Sequence, residues 1–148
     1  MREKGSGMPE AIYTAEATSS GGGRNGHVRS SDGIIDQEVK QPPALGGPGG
    51  ATNPEQLFAA AYAACFHGAM RAVARKSGVS VPDEATVQAA VGIGKDDTGF
   101  GINAVITAYL PGLDQAEADE LVEGAHQACP YSKATRGNID VELKVLTS

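Results

Sequence analysis

Apolar and polar positions alternate with a period that changes along the chain, and each change marks a predicted element. Residues 11–18, AIYTAEAT, group Ile, Tyr and Thr in a short run that predicts a strand. SSGGGRNG follows, a loop whose four glycines let the backbone take unusual angles. HVRSSDGIIDQEVK predicts a hairpin: a strand, a turn at Asp32-Gly33 and a second strand. The Pro/Gly stretch QPPALGGPGGAT cannot be helix or central strand. At Asn53 the pattern becomes helical. Asn53 can cap the helix, Pro54 suits its first position, and Glu55 suits its positive first turn. The helix is expected to run to about Ser77, where Gly78 ends it.

GVSVPDEA turns the chain, and ATVQAAVGI and GINAVITAYL predict two strands around KDDTGF. In the second, Ile102, Ala104, Ile106, Ala108 and Leu110 alternate with Asn103, Val105, Thr107 and Tyr109. Asp114 with Glu117 predicts a capped helix through about Ala128. A break at Cys129-Pro130, a short helical turn and a last strand over IDVELKVL complete the chain, and no internal repeat is present. Strands, helix, strands, helix, strand is an α+β order.

The bulk numbers narrow the partners. The 148 residues suffice for one domain with a core, expected over 11–148, with the Pro/Gly stretch as a loop inside it. Residues 1–10 read as a disordered lead-in, with GSGM a possible cloning remnant and Met8 the natural start. The net charge of −6, with no basic cluster longer than Arg75-Lys76, argues against nucleic acid and against an anionic membrane surface. No apolar run approaches the roughly 20 residues of a membrane span, and the start lacks a secretory core. The expected location is the cytoplasm.

The candidate chemistry centres on two cysteines, Cys65 and Cys129. Free cysteine usually packs, so position alone leaves Cys65 as either core residue or nucleophile. Cys129 precedes Pro130 in QACPYSKA, which predicts the N-cap of a helical turn, where amide groups and dipole favour a thiolate. The other reading is a half-buried loop cysteine. Cys65 with His67, and His126 with Cys129, form a zinc-like ligand set. Residues two apart on a helix point about 200° away from each other, however, so no metal site is expected. Arg24 in GGGRNG is either a solvated charge or a thiolate stabiliser carried by a loop that folds over a pocket. Glu55 is a helix-start residue or a clamp on an arginine. Neither glycine-rich stretch ends as a phosphate loop does, and no GxSxG is present.

Together, GGGRNG, the SSDG turn, GGATNPEQLFAAAYAACF and ACPYSKATRGNIDV resemble the organic hydroperoxide resistance (Ohr) proteins of the OsmC-like superfamily. The resemblance covers the chain from about Tyr13 onward, and the CPYSKATRGNIDV tail favours the Ohr branch over the OsmC branch. It implies a thiol peroxidase of oxidative-stress defence that reduces organic hydroperoxides to alcohols. It implies that Cys65 is peroxidatic, that Cys129 is resolving, and that Arg24 and Glu55 hold the reactive thiolate. It also implies an intertwined homodimer with no bound cofactor. The reductant would be an external dithiol, the dihydrolipoyl groups of lipoylated proteins.

These roles place demands on the residues. An apolar setting raises a thiol pKa, so a fixed cation has to offset it, and Arg24 is the natural one. If Cys65 and Cys129 close a disulfide, their Cα atoms should lie within about 7 Å or nearly so. Glu55 lies ten residues before Cys65, about 15 Å along one helix, so it is expected to reach the site from the other subunit. Phe58, Ala59, Tyr62 and Phe66 are expected to line a pocket for an alkyl or aryl group, favouring bulky organic or fatty-acid hydroperoxides over hydrogen peroxide. A non-catalytic protein that binds a lipid-like ligand in the same apolar dimer pocket is the alternative. A general thiol–disulfide oxidoreductase lacks its C-x-x-C.

Overall fold

The computed structural model describes residues 10–148, so all but Glu10 of the expected lead-in lies outside the described residues. The chain divides into two compact units, one ending at Asn53 and one spanning Pro54–Ser148.

The first unit is a three-stranded antiparallel sheet in the order β1 (Ala17–Gly21), β2 (Gly26–Ser30), β3 (Asp36–Val39). The hairpin at Asp32-Gly33 forms as expected. The Asp32 carboxylate accepts from Ser30 Oγ at 2.6 Å and from the Ile34 amide at 3.0 Å, which fixes the turn. β1 differs from the sequence reading. It begins at Ala17 and takes in Ser19, Ser20 and Gly21, while Ile12 and Tyr13 stand exposed. A strand exists where a partner offers a hydrogen-bond ladder, and β2 offers one only opposite 17–21. The glycines allow the shift: a Cβ on Gly26 would lie 2.1 Å from the Ser20 carbonyl oxygen. The Pro/Gly stretch holds one 3-10 turn at Pro43–Leu45 and returns to the sheet, where Thr52 bridges to Val39.

The second unit contains α1 (Pro54–Ser77), β4 (Thr86–Asp96), β5 (Gly99–Tyr109), α2 (Gln115–Ala128), α3 (Pro130–Thr135) and β6 (Val141–Leu146). Its sheet runs β4-β5-β6, with β4 antiparallel and β6 parallel to β5. The register stacks three apolar rows: Val87, Ala108, Val145; Ala89, Ile106, Leu143; Val91, Ala104, Val141. Tyr62, Phe66, Met70 and Ala74 of α1 and Ala118, Leu121, Val122 and Ala125 of α2 complete this core. The expected alternation on β5 holds from Ala104 onward, and so do both ends of α1, closed by Gly78 at φ 72°. Asp114 caps α2, accepting from the Glu117 amide at 3.3 Å.

Two expectations change. The six residues of KDDTGF contract to a turn at Asp97-Thr98, because Asp96 accepts from the Thr98 amide at 2.8 Å and hydroxyl at 2.7 Å and so closes the hairpin early. In addition, α1, with 24 residues, is long and apolar enough to cross a membrane by length and composition. Glu55, Gln56, His67 and Arg71 break up its apolar run in the sequence, while its buried stripe serves the core of this unit.

Candidate active site

Cys65 sits in mid-α1, half-buried beside the stripe of core residues. Cys129 ends α2 and begins α3. Its amide donates to the Ala125 carbonyl at 2.8 Å and its carbonyl accepts from the Lys133 amide at 2.9 Å. Pro130 forces the break, because the residue before a proline is disfavoured in helical geometry; Cys129 is extended at φ −68°, ψ 124°. This joint carries the Cys129 thiol to Cys65, Sγ to Sγ 3.4 Å, with both cysteines free. A disulfide bond would need about 2.05 Å.

The expected N-cap position of Cys129 is found. Its side chain makes no capping hydrogen bond, and it is fully buried between two helices rather than half-buried in a loop. The start of α3 acts instead on Cys65, through a backbone hydrogen bond from Tyr131 that favours the thiolate. Burial is the larger influence and pushes the Cys65 thiol up. The hydrogen bond and charge of Cys129 add to that rise.

Aromatic rings share the core cluster in which the pair packs. Tyr62 and Phe66 are fully buried, while Phe58 is half-buried and meets Tyr62 edge-on at 6.1 Å. Tyr131, which the sequence reading did not single out, packs 6.4 Å from Phe58 and 6.0 Å from Tyr62 and remains 40% exposed. The aromatic setting therefore has a buried floor, Tyr62 and Phe66, and a more open rim, Phe58 and Tyr131.

Behind the floor lies a polar cluster that sequence reasoning also missed. The Tyr62 hydroxyl lies 2.8 Å from Ser132 Oγ and 2.9 Å from Thr135 Oγ1. Ser132 Oγ lies 2.8 Å from Nδ1 of His126, and Thr135 Oγ1 donates to the Ser132 carbonyl at 3.2 Å. Among the described residues, no buried side-chain polar atom lacks a partner. Ser132 and Thr135, three apart on a single helical turn, leave no periodic signal in the sequence; their only flag is proximity to Cys129.

The two histidines diverge. His67 Nε2 accepts from Arg71 Nε at 2.9 Å, whereas the His126 ring faces Ser132 and Phe66. Burial lowers the pKa of both. Arg71 adds to the fall at His67; at His126, Glu123 opposes it and Arg136 reinforces it. Among the described residues, no three His, Cys, Asp or Glu side chains gather as a metal site would require. Arg24 lies half-buried on the β1–β2 turn of the first unit, and Glu55 in the first turn of α1 in the second.

Comparison with known proteins adds a further set of findings. The OsmC-like protein family model matches residues 47–144. An organic hydroperoxide resistance protein of Xanthomonas axonopodis pv. citri is 53% identical over 135 residues, covering 90% of this chain and 94% of its own. The organic hydroperoxide resistance protein OhrB of Bacillus subtilis is 44% identical over 135 residues, covering 91% and 98%. The crystal structure of an organic hydroperoxide resistance protein from Elizabethkingia anophelis matches with a TM-score of 0.88 at 46% identity, covering 95% of this chain and 100% of that one.

Proposed function

The chain belongs to the OsmC-like family, in its organic hydroperoxide resistance branch, and from that premise we propose that it is a thiol peroxidase acting on organic hydroperoxides. The observation that carries this reading is the 3.4 Å approach of a half-buried thiol to a fully buried one beneath an aromatic rim.

In the first step, the Cys65 thiolate attacks one oxygen of the hydroperoxide and the O–O bond breaks. The leaving alkoxide takes a proton and departs as an alcohol, and Cys65 becomes a sulfenic acid. Cys129 then attacks the Cys65 sulfur, water leaves and a disulfide forms. An external dithiol, which we assign to dihydrolipoyl groups on a lipoylated protein, takes the oxidising equivalents and restores both thiols. Because burial raises the Cys65 pKa, the first step needs a cation to favour the thiolate. The motif match assigns that role to Arg24, oriented by Glu55. We assign the working unit to a homodimer and its action to the cytoplasm, where free thiols persist.

Phe58 and Tyr131 at the rim suit an alkyl or aryl group, which gains about 25 cal/mol for each Å² of apolar surface covered. Hydrogen peroxide has almost no such surface, so kcat/KM for cumene hydroperoxide should exceed that for hydrogen peroxide. The deciding experiment is free-thiol titration before and after one equivalent of cumene hydroperoxide, on wild type and on Cys65→Ser. Wild type should lose two thiols, and the variant should keep its remaining one. Survival of both thiols in wild type would end the peroxidase reading and leave an apolar ligand-binding protein.

A further inference from the structure

We propose that Ser132 is a positioning residue for the disulfide-forming step, holding the Cys129 joint in register with Cys65 through its buried hydroxyl. The proposal rests on the peroxidase reading above and concerns its second step alone.

Ser132 is fully buried and ties three helices at one point. Its own backbone belongs to α3, its hydroxyl meets Tyr62 of α1 at 2.8 Å, and the same oxygen meets Nδ1 of His126 in α2 at 2.8 Å. A hydroxyl has one proton and two lone pairs, enough to serve both partners at once. Both contacts therefore depend on the same atom. The Ser132 carbonyl adds two more bonds, accepting from Thr135 Oγ1 at 3.2 Å and from the Arg136 amide at 2.7 Å.

The geometry explains why this node matters. Tyr62 lies three residues before Cys65 on α1, Ser132 three residues after Cys129, and His126 three residues before it. The node thus grips both arms of the joint that carries Cys129 and ties them to the helix that carries Cys65. Cys129 is held by its backbone bonds to Ala125 and Lys133, by burial in the core and by the contact of its thiol with Cys65, with no side-chain capping bond. The node is the side-chain contribution to the register between the two sulfurs, added to that backbone and packing.

Once Cys65 is a sulfenic acid, two reactions compete for it. Attack by the Cys129 thiol gives a disulfide and water. Attack on a second hydroperoxide molecule gives a sulfinic acid and an alcohol, a dead end for the thiol cycle. The partition between them depends on how well Cys129 is placed and is independent of how fast the sulfenic acid was formed. A purely structural residue would change stability without changing this ratio in the folded protein.

The test uses the full chain, reduced and then exposed to excess cumene hydroperoxide. Intact mass separates the disulfide, which has lost two hydrogens, from the sulfinic acid, which has gained two oxygens. Ser132→Ala should raise the ratio of sulfinic acid to disulfide about two- to tenfold, the range of one net hydrogen bond. Thr135→Val, which removes a hydroxyl from Tyr62 at constant shape, should raise it less, and Thr135→Ser, which keeps the hydroxyl, should match wild type. A folded Ser132→Ala with the wild-type ratio overturns the proposal. If Ser132→Ala does not fold, equal ratios in Thr135→Val and Thr135→Ser overturn it instead. A wild type that loses no thiols under one equivalent of hydroperoxide overturns the peroxidase reading itself, a different result from an unchanged ratio.

Discussion

The two cysteines stand 3.4 Å apart, yet their settings are opposite. Cys65 lies in the middle of a 24-residue helix, its backbone locked into the ladder on both sides and its side chain half-exposed. Cys129 is fully buried but sits where two helices meet, in extended backbone, at the one position of the site where the chain bends. The accessible thiol is fixed, and the buried thiol is jointed. A reagent from solution needs a target that stays in place, and a disulfide needs one partner able to advance from 3.4 Å to about 2.05 Å. Accessibility and a break in the helical backbone are divided between the two sulfurs accordingly.

Replacing each thiol in turn is the harshest test of this division. Cys65→Ser should abolish hydroperoxide turnover altogether, measured as consumption of cumene hydroperoxide with a dithiol reductant. Cys129→Ser should still consume about one equivalent in a single turnover and stall as the sulfenic acid, which a second equivalent would carry to the sulfinic acid. Equal single-turnover activity in both variants would end the division of roles, with Cys129 reaching substrate despite its burial.

Stability should sort the same neighbourhood by depth. Phe66→Ala removes a fully buried ring from the core and should cost about 3–5 kcal/mol in urea unfolding. Phe58→Ala, at the half-buried rim, should cost clearly less. Its larger effect should fall on KM for aryl hydroperoxides. Equal stability losses would mean that the rim is core and that the aromatic opening is closed.

Much of this arrangement was legible because its causes are local. Both ends of α1 follow from Pro54 and Gly78, the start of α2 follows from the Asp114 side chain, and the inward face of β5 follows from alternation. The parts that were not legible depend on partners distant in sequence. β1 begins where β2 can pair with it, which nothing in AIYTAEAT specifies. Tyr131 gains meaning only when α3 returns to α1, because its amide reaches a sulfur 66 residues earlier in the chain. Ser132 is a common residue on a short helical turn until folding brings Tyr62 and His126 to it. The cysteine roles came from motif resemblance; spacing alone left Cys65 between packing and chemistry.

The smallest expected effect is the pH dependence of the joint. Each cysteine has a histidine close by in sequence, His67 on α1 and His126 at the end of α2, and burial lowers the pKa of both. A lowered histidine pKa means that the folded state prefers the neutral ring. Its contribution to stability is complete above the unfolded value of about 6.5 and is lost as pH falls through the folded value. Urea unfolding of reduced wild type should therefore weaken as pH falls below that range. His126→Asn keeps an acceptor near the Nδ1 position for Ser132 but cannot titrate, so it should lose less stability on acidification than wild type. His67→Asn should reduce the loss in the same direction. If both histidines also hold their cysteines in place, only the His126 variant should alter the pH dependence of the sulfinic-to-disulfide ratio, because only His126 shares an atom with the node at the joint. An equal change from His67→Asn would show that α1 moves as readily as the α2–α3 junction, and the distinction between a fixed and a jointed thiol would fail.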